Sequence, residues 1–197
     1  MILANPCTRG GRLYQGSRAE HVWTADDKAQ LLAKAPAHLH LALMLALWTG
    51  QRQGDLLKLA WSNYDGKAIR LRQSKTGTRV VVPVGEPLRV ALDAERARKR
   101  GTVVLLTLDG TPWSEGGFCA SWRKACIKLG IAGITFHDLR GTAITRLAIA
   151  GCTVPKIASL TGHSLKDVEA ILDAHCLSHD RGMAETAIIK FEGRERK

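Results

Sequence analysis

The sequence has no long apolar run, and this absence already narrows the kind of protein it encodes. The longest unbroken run, residues 41–48, covers eight residues, whereas a membrane-spanning helix needs about 20. No basic-then-apolar leader opens the chain, so we expect no secretory signal. The five cysteines are odd in number and form no CxxC pair, which favours free thiols in a reducing compartment over a disulfide framework or a zinc ribbon.

What is present suits one ordinary globular domain. The chain has 197 residues, of which 45% are hydrophobic, enough to bury a sizeable core. Lysine and arginine outnumber aspartate and glutamate by 29 to 18, a formal net charge of +11. A basic surplus of this size favours a polyanionic partner, and nucleic acid is the obvious one.

The positive charge is concentrated in the middle of the chain. Residues 67–100 contain ten basic and three acidic residues, whereas residues 162–197 contain six basic and seven acidic ones. This distribution predicts a folded domain with a basic face rather than a basic tail. The cluster at 96–100 has a second explanation, since cations are favoured near the last carbonyls of a helix. That explanation does not extend to the basic residues further upstream, Lys67, Arg70, Arg72, Lys75 and Arg79.

The hydrophobic periodicity predicts an α+β fold that is mostly helical. Helical spacing with capping residues and terminal glycines indicates helices at 24–34, 36–48, 53–60, 87–99, 115–129, 137–150, 154–160, 165–175 and 181–192. Alternation of apolar and basic residues indicates a β-hairpin, with strands at 68–72 and 79–84 and Lys75 near its tip. A third short strand at 103–107 completes a predicted three-stranded antiparallel sheet.

Four short stretches carry unusual residue choices. In residues 49–55, TGQRQGD, Arg52 follows the most apolar helix, and Asp55 is a candidate to orient its guanidinium. Lys75 lies in the hairpin turn. In FHDLR, His137 and Arg140 are three residues apart on one helix face near an N-terminus that favours anions. In LTGHS, His163 follows a glycine at a helix start.

Each stretch alone has an ordinary explanation: a surface Arg–Asp pair, a solvated lysine, or a histidine that caps a helix. Together they form the set that a phosphodiester reaction needs. Arginine and imidazole donors neutralise the charge that develops on the non-bridging oxygens of a pentavalent phosphorus. A lysine can protonate the leaving 5′-oxygen.

With these residues in this order, the chain resembles the catalytic domain of a tyrosine recombinase of the phage-integrase family. Arg52 matches the first arginine of the family, Lys75 its hairpin lysine, HDLR its HxxR motif, with His137 and Arg140, and His163 its second histidine. The stretches TGQRQGDLL, FHDLRGTA and TGHSLKDVEAILDAH resemble those of proteobacterial prophage and integrative-element integrases. The likeness runs from about residue 23 to residue 191.

The resemblance implies site-specific DNA recombination through strand cleavage and rejoining with a 3′-phosphotyrosyl intermediate. It implies double-stranded attachment-site DNA as partner, DNA contacts by Arg70, Arg72 and Arg79, and no cofactor or metal. It implies a tetramer on DNA with weak or no self-association without it, and a bacterial cytoplasmic, nucleoid-associated location. Residues 1–22 are expected to be an interdomain linker and residues 23–197 the catalytic domain, without the core-binding domain that precedes it in full integrases.

The family's nucleophilic tyrosine is missing. The two tyrosines, Tyr14 and Tyr64, lie far upstream of His163, and Cys176 occupies the position where similar integrases have the tyrosine. A thiol is shorter than a phenol and attacks phosphorus poorly, so we expect the chain to bind DNA but to cleave it weakly or not at all. The alternative is a non-catalytic DNA-binding protein derived from an integrase. Metal binding by His175, Cys176 and His179 is disfavoured because no second cysteine pair lies nearby.

Overall fold

The structure, a computed structural model, describes residues 21–98 and 101–174 together with residues 185, 188 and 189. In these residues helices dominate and one two-stranded antiparallel sheet is present. The elements in chain order are α1 (Ala25–Lys34), α2 (Ala37–Thr49), α3 (Gln53–Leu57), a 3₁₀ turn (Trp61–Asn63), β1 (Ala68–Arg72), β2 (Arg79–Pro83), α4 (Glu86–Ala97), α5 (Glu115–Lys128), α6 (Asp138–Ile149), α7 (Val154–Thr161) and α8 (Leu165–Ala174). No helix of the described residues is long and apolar enough to cross a bilayer.

The predicted start of α1 and end of α2 are confirmed by local chemistry. Thr24 and Asp27 form a capping box, in which the Thr24 hydroxyl accepts from the Asp27 backbone N–H at 3.1 Å and Asp27 accepts from the Thr24 backbone N–H at 3.0 Å. Gly50 ends α2 with φ +63°, a left-handed conformation that glycine adopts without steric cost. The turn that carries Arg52 therefore begins at a defined point.

Helix α2 forms the centre of the core, and the turn that carries Arg52 follows it directly. Its apolar side chains face inward on most of its circumference, and Leu39, Leu43 and Leu45 are fully buried. It packs against α6 and α4, and its end lies close to the start of α6, where Arg140 donates to the Gly50 carbonyl. Burial of each leucine stabilises the fold by about 1.5–3 kcal/mol, so α2 is held firmly in the core.

Aromatic residues hold the segment that leads into α6. Trp122 of α5 packs edge-on against Phe136 with ring centroids 4.8 Å apart. Trp23, itself buried, donates from its indole Nε1 to the Thr135 carbonyl at 2.8 Å and from its backbone N–H to the Thr142 hydroxyl at 3.0 Å. The first turn of α6 is thus fixed from both sides.

The hairpin is confirmed with both of its strands. In its register Ile69 pairs with Val82 and Arg72 pairs with Arg79. The alternation of the strands buries Ile69, Val80 and Val82 and leaves the basic side chains on the opposite, exposed face. The turn between the strands carries Lys75, as predicted.

The predicted third strand at 103–107 is wrong, since the sheet has two strands in the described residues. Residues 103–107 contact the segment that follows α3 and do not pair with the hairpin. Val103 forms a single bridge with Ala60, and the Val104 N–H donates to the Leu59 carbonyl at 2.8 Å. Further on, Leu106 bridges to Pro112, which has no N–H to extend a ladder.

The remaining helices follow the predicted boundaries closely, with two qualifications. The helix predicted at 53–60 ends at Leu57 and is followed by the 3₁₀ turn. The helix predicted at 181–192 falls largely outside the described residues. Helices α6, α7 and α8 share a small apolar cluster of their own, formed by Ile144, Ala148, Ile157, Ala158 and Val168.

Gly162 ends α7 in the left-handed region, at φ +69°, and the hairpin presses directly against it. A Cβ at this position would lie 2.8 Å from the Gln73 side-chain amide carbon and 2.9 Å from a Val80 methyl carbon. Only glycine satisfies both the backbone conformation and this close approach. The contact joins the hairpin that carries Lys75 to the loop that carries His163.

We predict that Gly162→Ala destabilises the chain more than Gly130→Ala does. Both glycines have positive φ, but a Cβ at Gly130 meets nothing within 4 Å. The backbone strain, about 1–2 kcal/mol, is common to both variants, and Gly162→Ala adds a clash of about 1–3 kcal/mol. Urea denaturation of the two variants measures the difference, and equal losses of unfolding free energy would contradict the close contact.

Candidate active site

Arg52 lies at the turn between α2 and α3, where it is the N-cap of α3 and half-buried. Its Nη1 donates to the side-chain Oε1 of Gln73 at 3.0 Å. This hydrogen bond is the one contact that fixes its guanidinium among the described residues, and its acceptor is neutral. The guanidinium therefore keeps its full positive charge and several unused donors.

Asp55 does not orient Arg52. The alternative interpretation, a surface ion pair between these two residues at helical spacing, is also absent from the described residues. Asp55 is buried, and its Oδ1 accepts from the backbone N–H of Ser74 at 2.9 Å and from the Ser74 hydroxyl at 2.7 Å. The carboxylate thereby anchors the hairpin turn to α3. The sequence spacing suggested a helical pair because it does not reveal that the hairpin folds back over α3.

Lys75 lies in that anchored turn and is exposed. The turn is closed on itself by the Gly77 N–H, which donates to the Gln73 carbonyl at 2.8 Å, and by the Gln73 N–H, which donates to the Thr78 carbonyl at 2.8 Å. Its base is fixed while the lysine extends from its tip. Such a lysine can reach a ligand that approaches the loop.

Arg140 occupies the first turn of α6 and is almost fully buried, with 6% of its surface exposed. Its Nη1 donates to the carbonyl of Gly50 and to that of Thr161, the latter at 3.4 Å. Its Nη2 is buried and has no hydrogen-bond partner among the described residues. Burial and then the positive charge of Arg52 lower the pKa of Arg140 to about 9, against the opposing effect of Asp55. An anion beside Nη2 would relieve both costs.

His137 is the N-cap residue of α6 and is exposed. The helix start is stabilised by its neighbour Asp138, whose Oδ2 accepts from the backbone N–H of Thr135 at 2.6 Å and from the Thr135 hydroxyl at 2.9 Å. His137 is three residues before Arg140, a spacing that predicts side chains on the same side of the helix. The proximity of His137 also contributes, as the smallest effect, to the lowered pKa of His163.

His163 follows the glycine that ends α7, and Thr161 determines its tautomer. The Thr161 hydroxyl donates its one hydrogen to the Ile157 carbonyl at 2.8 Å, so it accepts from Nδ1–H of His163, also at 2.8 Å. In the neutral ring Nε2 therefore carries the lone pair. Burial, then Arg140 and then Arg52, lower the pKa of His163 to about 3.

The carbonyl of Thr161 is the point where the elements of the site meet. It accepts from Gln73 Nε2 at 2.8 Å, from Gln51 Nε2 at 3.3 Å and from Arg140 Nη1 at 3.4 Å. Its donors come from the α2–α3 turn, the hairpin and α6. Thr161 is the last residue of α7, where carbonyls lack helical partners, so it is available for these donors.

Gln51 and Gln73, which are both buried, were not predicted as site residues from the sequence. One signal points to Gln73: it continues the inward-facing series of Ile69 and Leu71 along the strand, where a polar side chain needs a buried partner. Gln51 has no comparable signal, because a glutamine beside a turn glycine is usually solvated.

The structure thus brings Arg52, Arg140 and His163 together, with Lys75 and His137 on flanking elements. Cys176 lies outside the described residues.

The candidate DNA-contacting arginines lie on the exposed face of the hairpin, away from Gly162. Arg70 forms an ion pair with Asp65, whose pKa it holds well below the usual range, and Arg72 Nε donates to the Gly77 carbonyl at 3.2 Å. Arg79 is exposed.

Tyr64 is a structural residue and no part of this site. It is 2% exposed, and its hydroxyl donates toward Asp93 Oδ1 at 3.1 Å and the Gly66 carbonyl at 3.3 Å. Burial and the hydrogen bond to Asp93 raise the pKa of its hydroxyl, which makes it a weaker source of phenolate.

Comparison with known proteins identifies the family. Residues 18–170 match the phage integrase family, and the chain belongs to it. The shufflon-specific DNA recombinase of Escherichia coli is 32% identical over 128 residues, which are 64% of this chain and 32% of that protein. The integrase of Escherichia phage lambda is 30% identical over 131 residues, 59% of this chain and 37% of that protein. The chain spans about a third of the length of these relatives.

Solved structures agree with this assignment. The catalytic core of lambda integrase matches with a TM-score of 0.64 at 27% identity and covers 73% of this chain and 95% of that one. A lambda integrase dimer bound to a COC′ core site matches with a TM-score of 0.68 at 25% identity, over 76% of this chain and 47% of that chain. XerA recombinase shares the fold, with a TM-score of 0.69 at 19% identity over 95% of this chain and 68% of that one.

Arg140→Met is expected to abolish the stabilisation of the folded chain by phosphate or vanadate. At an anion concentration about ten times the Kd, binding to the wild type adds roughly 1.4 kcal/mol, which raises Tm by about 3–6 °C. Arg146→Met is the matched control, because Arg146 lies on the same helix but is exposed. Differential scanning fluorimetry with an anion titration measures both, and an unchanged shift in Arg140→Met would contradict the role of its buried guanidinium.

A second prediction concerns the protonation of His163. Its pKa is about 3 against 6.5 for a free imidazole, so unfolded chains bind a proton between these values that the folded chain does not. His163 therefore lowers the free energy of unfolding as the pH falls from about 6.5 toward 3. We expect phosphate, whose charge offsets that of both arginines, to raise the pKa of His163. NMR titration of the ring signals tests this, and a pKa near 6.5 in the anion-free chain would contradict the buried neutral imidazole.

Proposed function

We propose that this site binds a DNA phosphodiester and carries out strand cleavage and rejoining in site-specific recombination. The observation that supports the proposal most strongly is Arg140 Nη2, a buried guanidinium nitrogen without a partner among the described residues. The charge of Arg52 acts on the same guanidinium, and no carboxylate of the described residues forms a salt bridge with either arginine. A bound anion would offset the charges of both guanidinium groups, which act on each other.

The arrangement suits the transition state of phosphoryl transfer better than a simple phosphate ester. When a nucleophile attacks phosphorus, negative charge grows on the two non-bridging oxygens. Arg52 and Arg140 approach from different elements and are held by the Gln73 side chain and by backbone carbonyls, so they need little reorganisation. Burial and the two arginines lower the pKa of His163, so it gains a proton more readily once a phosphate offsets the arginine charges.

In the proposed reaction the hydroxyl of a tyrosine in a competent enzyme gives its proton to Nε2 of His163, its oxygen bonds to phosphorus, and the bond from phosphorus to the 5′-oxygen breaks. The leaving 5′-oxygen takes a proton from Lys75, whose place at the hairpin tip allows it to reach over the bound strand. The product is a 3′-phosphotyrosyl link and a free 5′-hydroxyl. Rejoining reverses these steps with a 5′-hydroxyl of another strand, so no external energy source is consumed.

Cys176 at the tyrosine position is the reason to propose an impaired enzyme. A cysteine side chain is several ångström shorter than a tyrosine, so it does not reach the same phosphorus. Its sulfur is also a poor nucleophile at phosphorus. We therefore propose that this chain assembles the phosphate site, binds DNA, and forms little or no covalent intermediate. The second candidate function, a non-catalytic DNA-binding protein derived from an integrase, is favoured by this same cysteine and disfavoured by the retained arginines.

The proposed partner is double-stranded attachment-site DNA bound by several protomers. Lambda integrase has been solved as a dimer bound to a core site and as a tetramer bound to a Holliday junction, and we propose similar assemblies for this chain. Residues 23–197 are proposed as the catalytic domain and residues 1–22 as the linker from a preceding core-binding domain. Of the hairpin arginines, Arg72 and Arg79 are better placed to contact backbone phosphates than Arg70, which is already paired with Asp65.

Covalent trapping tests the proposal. A nicked duplex that carries the attachment sequence loses its short 5′-hydroxyl fragment after cleavage and so retains any covalent complex. We expect Cys176→Tyr to form a covalent complex visible on a denaturing gel, and the unchanged chain to form at most a trace. Cys176→Phe, which has the ring without the hydroxyl, is the matched control and should form none.

Two results would contradict the proposal. Efficient trapping by the unchanged chain would show that the thiol is a competent nucleophile, and the proposed impairment would be wrong. Absence of trapping by Cys176→Tyr, despite DNA binding, would favour the non-catalytic DNA-binding function instead.

A further inference from the structure

We infer that Gln73 is a positioning residue that orients Arg52 and couples it to the His163 loop, an inference that rests on the proposed function. Gln73 follows β1 directly, two residues before Lys75, and its surface is 0% exposed. A buried glutamine side chain is costly unless each of its polar atoms is bonded.

The hydrogen bonds of the Gln73 amide satisfy that requirement. Its Oε1 accepts from Arg52 Nη1 at 3.0 Å and from the Thr76 hydroxyl at 3.0 Å. Its Nε2 donates to Gln51 Oε1 at 2.7 Å and to the Thr161 carbonyl at 2.8 Å. Two acceptor positions and two N–H groups are thus all occupied.

The chemistry of the partners determines which way the amide points. A guanidinium only donates and a backbone carbonyl only accepts, so the oxygen must face Arg52 and the nitrogen must face Thr161. A flipped amide would place donor against donor and carbonyl against carbonyl. The orientation therefore follows from two partners of opposite kind and needs no observed hydrogens.

Gln73 joins elements that are distant in sequence. Arg52 is 21 residues away along the chain and Thr161 is 88 residues away. Thr161 in turn holds the imidazole of His163, and Thr76 belongs to the turn of Lys75. One side-chain amide thus sets the relative positions of the hairpin, the α2–α3 turn and the end of α7.

Because the Gln73 amide is neutral, its effect on Arg52 differs from the effect that a carboxylate would have. The amide oxygen fixes Arg52 without neutralising it, so the guanidinium charge remains available to a phosphate. Gln73→Glu would hold Arg52 at least as firmly through a charged hydrogen bond, but it would compete with the anion and place an acceptor against the Thr161 carbonyl. Gln73→Met keeps the length of the side chain and removes every hydrogen bond of the side-chain amide.

A double-mutant cycle with Arg52 tests the inference in the full chain, with orthovanadate as the probe and isothermal calorimetry as the measurement. We expect Gln73→Met to weaken vanadate binding about tenfold, the scale of one hydrogen bond to a charged group. In an Arg52→Ala background the same change should alter affinity less than about twofold, because Gln73 acts through Arg52. Gln53→Met is the matched control: it removes the same amide beside Arg52 but outside this network, and should leave affinity unchanged.

A second measurement reads Arg52 directly without any ligand. The ¹⁵N relaxation of the Arg52 Nε–H group should indicate an ordered guanidinium in the wild type and in Gln73→Glu, and a mobile one in Gln73→Met. Gln73→Glu should nevertheless weaken vanadate binding, because its carboxylate offsets the Arg52 charge.

The outcomes separate this inference from the proposed function. Wild-type affinity in Gln73→Met, an equal loss in both backgrounds, or an Arg52 signal that stays ordered in Gln73→Met would overturn the positioning role. If the wild type does not bind vanadate at all, the proposed function fails, and the relaxation of Arg52 still decides whether Gln73 orients it.

Discussion

The structure of the site depends on how the chain accommodates the buried charge of Arg140. Its Nη1 lies between two backbone carbonyls, those of Gly50 and Thr161, which stand at the C-terminal ends of α2 and α7. Helix C-termini carry partial negative charge and unsatisfied carbonyls, so they stabilise a cation without a carboxylate. The guanidinium is held in place and remains unneutralised, which is the state required for a phosphate ligand.

This arrangement requires the ends of α2 and α7 to approach each other closely, and glycines make the approach possible. A Cβ at Gly50 would lie 2.8 Å from a Thr161 methyl carbon, and one at Gly162 would meet Gln73 and Val80. Both glycines also adopt positive φ, which turns each chain sharply away from its helix. Arg52 and His163 lie directly after these two turns. The same turns therefore place two carbonyls against Arg140 and bring Arg52 and His163 close to it.

Much of this was predictable from sequence, and the failures have physical causes. The start of α1 at Thr24, the end of α2 at Gly50 and the hairpin around Lys75 follow from local rules of capping and periodicity. The third strand failed because 103–107 has strand-like composition but meets the chain at Ala60 in a single bridge. The role of Asp55 and those of Gln51 and Gln73 depend on contacts between distant segments, which local spacing does not encode. Of these residues, only Gln73 could have been identified from the sequence, because it is a polar residue at an inward-facing position.

The central claim is that Arg52 and Arg140 clamp one phosphoryl group. A crystal structure of the chain with orthovanadate, which adopts the five-coordinate geometry of the transition state, tests this claim most directly. We predict a vanadate oxygen within hydrogen-bond distance of Arg140 Nη2 and another within reach of the free donors of Arg52, with the Gln73 contact intact. Vanadate bound elsewhere, or an Arg140 whose Nη2 is satisfied by a protein group with the site left empty, would contradict it.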